Sequence, residues 1–403
     1  MRLKKTISDV DPSRLNGRTV LVRVDYNVPV NDRQVVDDRR IRLSLPTLEL
    51  LLGAGAKVVL LSHLGRPGGM VVPELSLAPA VDCLGSLLGM PVKLITHTDA
   101  STQASVVQRS SDKQILVLEN TRFLEGEIAN DADLAMGWAE LGELFVNDAF
   151  GTAHRAHAST SGLAKAMVAR GYEAVSGLLI ARELQFLDEA LRAPDRPLTA
   201  ILGGAKISGK IDVIDAFLSR VDRLLIGGAM ANTFMRALGF ETGSSLVEDD
   251  RVALAAELVE KGADQLVLPA DFIVAREIKE GAGMRVLDRS QISAGDRIVD
   301  IGPETRARFR EVIRWSKSIV WNGPMGVFEI ESFSEGTVEV AHSVADACDR
   351  GALGIIGGGD SGAAAEQAGV ASRISHVSTG GGASLKLFSG ATLPGIESLT
   401  DRL

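Results

Sequence analysis

Residues 198–212, LTAILGGAKISGKID, hold what a phosphate cradle needs. The apolar, β-rich run 198–202 stops at Gly203-Gly204, lysines follow at Lys206 and Lys210, and a helical-period run begins at Ile211. Glycines let backbone N–H groups approach an anion, a helix N-terminus adds its dipole, and the lysines add full charge. Gly204 to Lys210 spells G-x-x-x-x-G-K, yet Ile211 stands where a P-loop needs a magnesium-binding hydroxyl. The stretch therefore reads as a phosphate corner whose metal ligand lies elsewhere. A glycine-rich turn with surface lysines and no ligand is the plain alternative.

A second set of chemistry-bearing residues lies earlier in the chain. The runs RVDYNVP, SHLGRP, LENTRF and NDAFGTAHRAH each follow a short apolar stretch. They bring Arg23, His63, Arg66, Arg122 and Arg155 to strand ends, with His154, His157 and Arg40 able to join them. Ligands of open α/β sheets sit outside the carboxyl ends of the strands, and guanidinium forks match carboxylate and phosphate. The set reads as a site for a small polyanion, with Asp25 and Asn27 offering hydroxyl or carboxyl contacts. Any one of these arginines alone would pass as a solvated surface residue. The histidines lack metal-ligand spacing, so metal ligation is not expected.

The later strand ends carry small residues instead. They give Gly227-Gly228, Asn322-Gly323-Pro324, Gly357-Gly358-Gly359-Asp360-Ser361 and Gly380-Gly381-Gly382, the last two ahead of helical patterns. Glycine admits a flat ring or a polyphosphate to the backbone, and each helix start offers a further anion site. Asp360 is open to two readings, a helix cap worth about 1 kcal/mol or a carboxylate on nucleotide-bound Mg²⁺. Glu329 is a candidate acceptor for ribose hydroxyls, against a solvated glutamate. Arginine-rich ends in one half and glycine-rich ends in the other suit phosphoryl transfer between a small acid and a nucleotide.

Positioning these loops requires strands alternating with helices. β-branched runs occur at 18–24, 57–61, 92–95, 114–118 and 144–146, with helical periodicity at 40–52 and 77–88. A second series lies at 198–202, 223–226, 265–268, 318–321, 353–356 and 374–377. The pattern predicts an α/β protein with mostly parallel, Rossmann-like sheets covered by helices. At 403 residues two domains are expected, and an amphipathic stretch at 178–191, stopped by Pro194 and Pro197, is the candidate connector. A formal charge of −9 argues against nucleic acid or anionic membrane as a partner. Cys83 and Cys348 read as buried thiols in a reducing cytosol. With no apolar leader or membrane span in view, the location expected is cytoplasmic.

The motifs already quoted, with GGAKISGK, WNGPMGVFE, IIGGGDS and HVSTGGGAS, in this order over roughly residues 18–385, closely resemble phosphoglycerate kinase. The resemblance implies a two-lobed monomer: residues 1–175 binding 3-phosphoglycerate, an interdomain helix at 176–193, a nucleotide lobe at 194–390, and a tail at 391–403 returning to the first lobe. It implies glycerate contacts from Asp25 and Asn27 with Arg23 behind them, and a basic patch of Arg40, His63, Arg66, Arg122 and Arg155. Arg40 resembles the arginine that reaches the transferring phosphoryl group, with Arg39 beside it leaving the register open. Lys206 and Lys210 would bear on the nucleotide phosphates, and these two lysines with Arg40 form the expected catalytic set. Gly203, Gly228, Asn322, Glu329, Gly357, Gly358 and Gly359 would belong to the nucleotide site, Asp360 to Mg²⁺, and Ser361 to the phosphates. The helix start at Gly380, Gly381 and Gly382 is the further anion position. Gly209 and Lys386 depart from the family pattern, the first loosening the turn between the lysines.

The chemistry agrees with these residue types. A substrate carboxylate, with pKa about 3.5, is ionised at neutral pH and needs no general base. The task left is to bring two polyanions in line and neutralise the moving charge, and closure of the two lobes over the substrates is expected to exclude water. A kinase for a different carboxylate would need fewer arginines. A scaffold without turnover would be expected to show damage at Arg40, Lys210 or Asp360. A dinucleotide dehydrogenase is disfavoured, because no early G-x-G-x-x-G with a downstream acid is present.

Overall fold

A computed structural model describes residues 3–111, 114–192 and 194–402. The chain divides into two compact units: Met1–Leu184 with Thr392–Leu403, and Gln185–Ala391. Each is built on a six-stranded sheet in which every pairing is parallel.

In the first unit the strands are β1 (Thr19–Arg23), β2 (Lys57–Leu61), β3 (Val92–Ile95), β4 (Ile115–Leu118), β5 (Leu144–Asn147) and β6 (Glu173–Ser176), in spatial order β3-β4-β2-β1-β5-β6. Alternation of side chains sends Val20, Val22, Val58 and Leu60 into one core and Leu21, Val59 and Leu61 into the other. A sheet covered on both faces must be apolar at every position, which is why its central strands read as unbroken aliphatic runs. Large-to-small changes at such positions cost about 2–5 kcal/mol. The helix α1 (Arg39–Gly53) packs its buried Ile41, Leu48 and Leu51 into the first of these cores.

In the second unit the strands are β7 (Leu198–Leu202), β8 (Arg223–Ile226), β9 (Leu266–Val267), β13 (Ser318–Asn322), β14 (Leu353–Gly357) and β15 (His376–Ser378), ordered β9-β8-β7-β13-β14-β15. Between them lies a feature that the sequence patterns did not reveal. Strands β10 (Asp271–Ala275), β11 (Met284–Asp288) and β12 (Arg297–Ile301) form an antiparallel sheet, β11-β10-β12. Its outer strand β11 is largely exposed and carries Arg285 and Asp288 among its five residues, so no apolar run marks it.

The helix α2 (Leu178–Arg192) covers the stretch expected as connector, and the division between the units falls inside it, at Leu184/Gln185. Its first turn is capped from a distance. Asp148, just after β5, accepts the N–H groups of Leu179 and Ile180 through Oδ1, at 2.9 and 3.2 Å. The same device recurs twice. Asp271 caps α4 (Pro303–Trp315) at Glu304 and Thr305, and Asp300 caps α5 (Glu335–Asp349) at Gly336. A carboxylate on these helix starts satisfies orphan donors and meets the positive end of the dipole. Burial outweighs those bonds for two of them, lifting Asp148 to about 6 and Asp300 to about 7.

The final residues run back along the first unit. Lys5 donates to Thr400 O, Thr400 to Ala174 O, and Asn147 through Nδ2 to Gly395 O. Cys83 and Cys348 are free thiols, and each is partly rather than fully buried, a correction to the expectation of two buried thiols. No helix among the described residues is long and apolar enough to cross a membrane.

Candidate active site

Both main sheets reverse their strand order, and the chemistry-bearing residues gather at those reversals. In the first unit β1 lies between β2 and β5, so the chain winds outward in opposite directions from the β1/β5 pair. Such switch points open a crevice at the carboxyl ends of the strands. Arg23, the last residue of β1, is paired in register with Asn147 at the end of β5 and is fully buried. Its Nε donates to Ser159 Oγ at 2.8 Å, its Nη1 to Val24 O, and its Nη2 lies 3.1 Å from His63 Nδ1. A guanidinium only donates, so His63 Nδ1 accepts and Nε2 carries the proton. Burial, and then the charges of Arg23, Arg122, Arg40 and His157, hold His63 well below the ordinary imidazole range. His63 is therefore a neutral donor.

The remaining members stand around this pair. Arg40, in the first turn of α1, donates through Nη1 to Asp25 Oδ2 at 3.0 Å and to Asn27 O at 3.2 Å. Arg39 is paired with Asp37, whereas Arg40 is the one that contacts Asp25 and Asn27. Asn27 Oδ1 accepts the N–H of Gly65 at 2.9 Å, joining the loops after β1 and β2. Arg122 donates through Nη1 to Gly65 O at 2.7 Å, while its buried Nε and His157 Nδ1 have no hydrogen-bond partner among the described residues. Burial, with Arg155 and Arg23 nearby, pushes Arg122 down to about 10. His157 is lowered to about 4 by burial, with Arg122, Arg23 and Arg155 adding to the fall against the pull of Glu127. Arg155 donates to His154 through Nε at 3.1 Å. Arg66 is exposed in the loop after β2. Crowded cations and unpaired buried donors are the signature of a site that an anion completes.

The second unit repeats the geometry with different residues. Its switch point lies between β7 and β13, whose ends meet as Leu202 and Asn322. Here three loops touch backbone to backbone. Gly203 donates to Asn322 O, Gly204 to Pro324 O at 2.8 Å, and Gly228 to Met325 O at 2.9 Å. A Cβ on Gly203 would meet Pro324 O at 2.1 Å, and Gly323, at φ +98°, would meet Gly203 O at 2.3 Å, so both positions exclude a side chain. Lys210 immediately precedes α3 (Ile211–Leu218) and sends Nζ into this corner, donating to Gly203 O at 2.5 Å and Asn322 O at 3.2 Å. Burial lowers its ammonium to about 8, against the opposing charge of Asp360.

Lys206 is exposed on the loop, and Gly209 has open space around it. The turn is pinned by a residue that sequence reasoning missed. Glu248 accepts the N–H groups of Ile207 and Ser208 and the Ser208 hydroxyl, at 2.5, 3.2 and 2.5 Å. Two residues assigned to the nucleotide also hold the loops together. Asn322 donates through Nδ2 to Gly357 O at 2.5 Å, and the buried Ser361 hydroxyl accepts the N–H of Gly323 at 2.6 Å. Gly358 and Gly381 approach so closely that a Cβ on Gly381 would lie 2.6 Å from Gly358 Cα. This brings the starts of α6 (Gly359–Gln367) and α7 (Gly381–Phe388) side by side, with Gly359 and Asp360 exposed at the first of them. Gly382 lies in the first turn of α7, after Gly380, whose carbonyl accepts from Ser384. Glu329 is exposed in the turn after Phe328. A cavity beside α3 is lined by Asp212, Asp215, Glu257 and Lys261, an acidic lining unsuited to phosphate.

The family model for phosphoglycerate kinase matches residues 7–391. The structure of phosphoglycerate kinase from Coxiella burnetii is similar at 39% identity and a TM-score of 0.85, covering 98% of each chain. That of phosphoglycerate kinase from Pyrococcus horikoshii OT3 is similar at 31% identity and 0.85, again over 98% of each. By family model and by structure alike, the chain belongs to the phosphoglycerate kinase family.

Proposed function

We propose that the arginine and histidine cluster at the β1/β5 switch point holds 3-phosphoglycerate and that the Lys210 corner at the β7/β13 switch point holds ATP or ADP. The reaction, as for its family, is ATP-dependent phosphoryl transfer with 3-phosphoglycerate in glycolysis. The assignment of the two sites rests chiefly on their contrast. One is crowded with cations and holds a buried Arg122 Nε that has no partner among the described residues, and the other is a glycine corner with a desolvated lysine.

Each residue then has a task. Arg23, His63, Arg122 and Arg155, with Arg66 at the rim, bind and orient the acid, and Asp25 and Asn27 meet its hydroxyl or carboxylate oxygens. Arg40 turns from Asp25 to the phosphoryl group in transit. Lys210 and Lys206 neutralise the nucleotide phosphates, and the starts of α6 and α7 add N–H groups. The acid's own carboxylate is the nucleophile, so nothing in the protein takes a proton. Asp360 fits Mg²⁺, an ion that is usually held by one or two carboxylates plus substrate phosphates. Mg²⁺ would supply charge neutralisation on the phosphate oxygens, and a cytoplasmic monomer is the form proposed.

The test is turnover of 3-phosphoglycerate with Mg-ATP, coupled to NADH oxidation through glyceraldehyde-3-phosphate dehydrogenase. Signal is expected only with both substrates, and a chelator should abolish it reversibly. Folded, nucleotide-binding protein without 3-phosphoglycerate-dependent signal would redirect the reading to another carboxylate. In-line transfer also requires the two substrates to meet, and closure of the units is the proposed route. Small-angle scattering should give a smaller radius of gyration with both substrates than with neither; an unchanged radius would count against closure.

A further inference from the structure

Beneath the arginine and histidine cluster lies a carboxylate to which the transfer reading gives no task. Glu127 sits in the short helical turn Gly126–Ala129 and has no exposed surface. Its Oε2 accepts the N–H of Ser159 at 2.8 Å, and its Oε1 accepts the hydroxyls of Ser159 at 2.6 Å and Thr121 at 3.2 Å. The Ser159 oxygen in turn accepts Nε–H of Arg23 at 2.8 Å, and Arg23 reaches His63 through Nη2. His157 Nδ1 stands 3.8 Å from the same carboxylate. A continuous line of contacts thus runs from Glu127 through Ser159 and Arg23 to His63.

An acid under an anion site works against the substrate electrostatically, so its presence calls for a structural reason. The direction of each hydrogen bond supplies one. A carboxylate offers only acceptors, so the Ser159 hydroxyl must donate to it, and the hydroxyl's lone pairs are then turned toward Arg23. Guanidinium also needs an acceptor, because an unpaired buried donor is costly. An amide in place of the carboxylate would set its NH₂ against either the Ser159 N–H or the Ser159 hydroxyl, so one of the two bonds that fix Ser159 would be lost.

We propose that Glu127 is a positioning residue for the acid substrate, fixing the Arg23 guanidinium and His63 imidazole through Ser159. The inference rests on the assignment of the acid to this cluster. It separates from a second role that the same charge could have, that of merely offsetting the positive patch. Loss of positioning raises KM for the acid, whereas loss of a simple counter-charge lowers it.

Steady-state kinetics of Glu127→Gln and Ser159→Ala decide the matter, with folding checked by circular dichroism and thermal unfolding. The expected result in both is a KM for 3-phosphoglycerate raised about tenfold, with KM for ATP and saturated kcat within about twofold of wild type. If Glu127→Gln does not fold, Glu127→Asp, which keeps the charge but draws the carboxylate back from Ser159, gives the answer beside Ser159→Ala: a raised KM for 3-phosphoglycerate in both supports positioning, and an unchanged KM in Glu127→Asp overturns it. An unchanged or lowered KM for 3-phosphoglycerate overturns positioning, and so do equal changes for both substrates. Wild-type turnover that does not depend on 3-phosphoglycerate would instead sink the assignment of the acid, and this inference with it.

Discussion

Lys210→Ala should lower kcat by about a hundredfold or more while leaving the fold intact. The ammonium lies where the ends of β7 and β13 meet, held by two carbonyls, and burial has already lowered it to about 8. A cation kept partly desolvated gains strongly from an arriving polyphosphate, because charges interact more strongly where water is thin. Removing such a preorganised charge costs about 3 kcal/mol, or roughly a hundredfold. Of the two carbonyls that Lys210 touches, Asn322 O also accepts the N–H of Gly203, so truncation leaves these loops paired there. The pH dependence has a definite sign. Lys210 acts as the cation, so kcat/KM for the nucleotide should hold below its pKa and fall as pH rises through about 8. The measurement is coupled turnover across pH for wild type and variant, beside thermal unfolding of each. A variant with wild-type turnover would remove Lys210 from the mechanism, and a flat profile to pH 9 would remove the desolvation argument.

Much of this arrangement is legible in the chain, for a physical reason. A sheet buried on both faces leaves aliphatic runs, as in β1, β2, β4 and β7, while the edge strands β3 and β15 carry polar residues and β6 gives no such signal. β6, EAVS, is too short and too close to the start of α2 to stand out. The antiparallel trio escapes because β11 is exposed and polar, so burial imposes no pattern on it. The site shows a similar split. Arginine and glycine at strand ends are visible because the residue type is itself the signal. Glu127, Glu248 and the capping Asp148, Asp271 and Asp300 are not visible, since each acts on a partner remote in sequence, as Glu127 does on Ser159. Asn322 and Ser361 illustrate the same limit from the other side. Their motif points to nucleotide, and their hydrogen bonds are spent joining the end of β13 and the residue after it to the end of β14 and the start of α6.

The two switch points share one construction. In each, the first strand of the unit lies beside a later one, and the loops leaving that pair are tied across by backbone or buried side chains. The first unit joins them by Arg23 and Asp148, whose N–H donates to Arg23 O at 2.8 Å; the second joins them by glycines packed carbonyl to Cα. A rigid seam of this kind costs little reorganisation when charge arrives, which is what electrostatic catalysis requires.

Arg40→Ala should lower kcat at least as far as Lys210→Ala, and Arg39→Ala should not. Arginines that stabilise a phosphoryl group in transit are worth about 10³–10⁵ in rate, and two orders of magnitude is the floor expected here. In the present geometry Arg40 leans on Asp25 and on the Asn27 carbonyl, with its side chain about a third exposed. Such an ion pair adds about 0–1 kcal/mol to stability, so the variant should unfold at nearly the wild-type temperature. Arg39 is a more exposed arginine one residue away, but it is paired with Asp37, and its loss should leave kcat within about twofold. Arg40→Lys is the sharper control. Lysine keeps the charge but loses the planar fork of donors that suits a phosphoryl group, so it should restore KM for 3-phosphoglycerate more than kcat. Coupled assays on the three variants, with 3-phosphoglycerate varied at saturating Mg-ATP, separate these effects. Loss of turnover in Arg39→Ala with retention in Arg40→Ala would reverse the register and move the transferring-phosphoryl contact one residue back along α1.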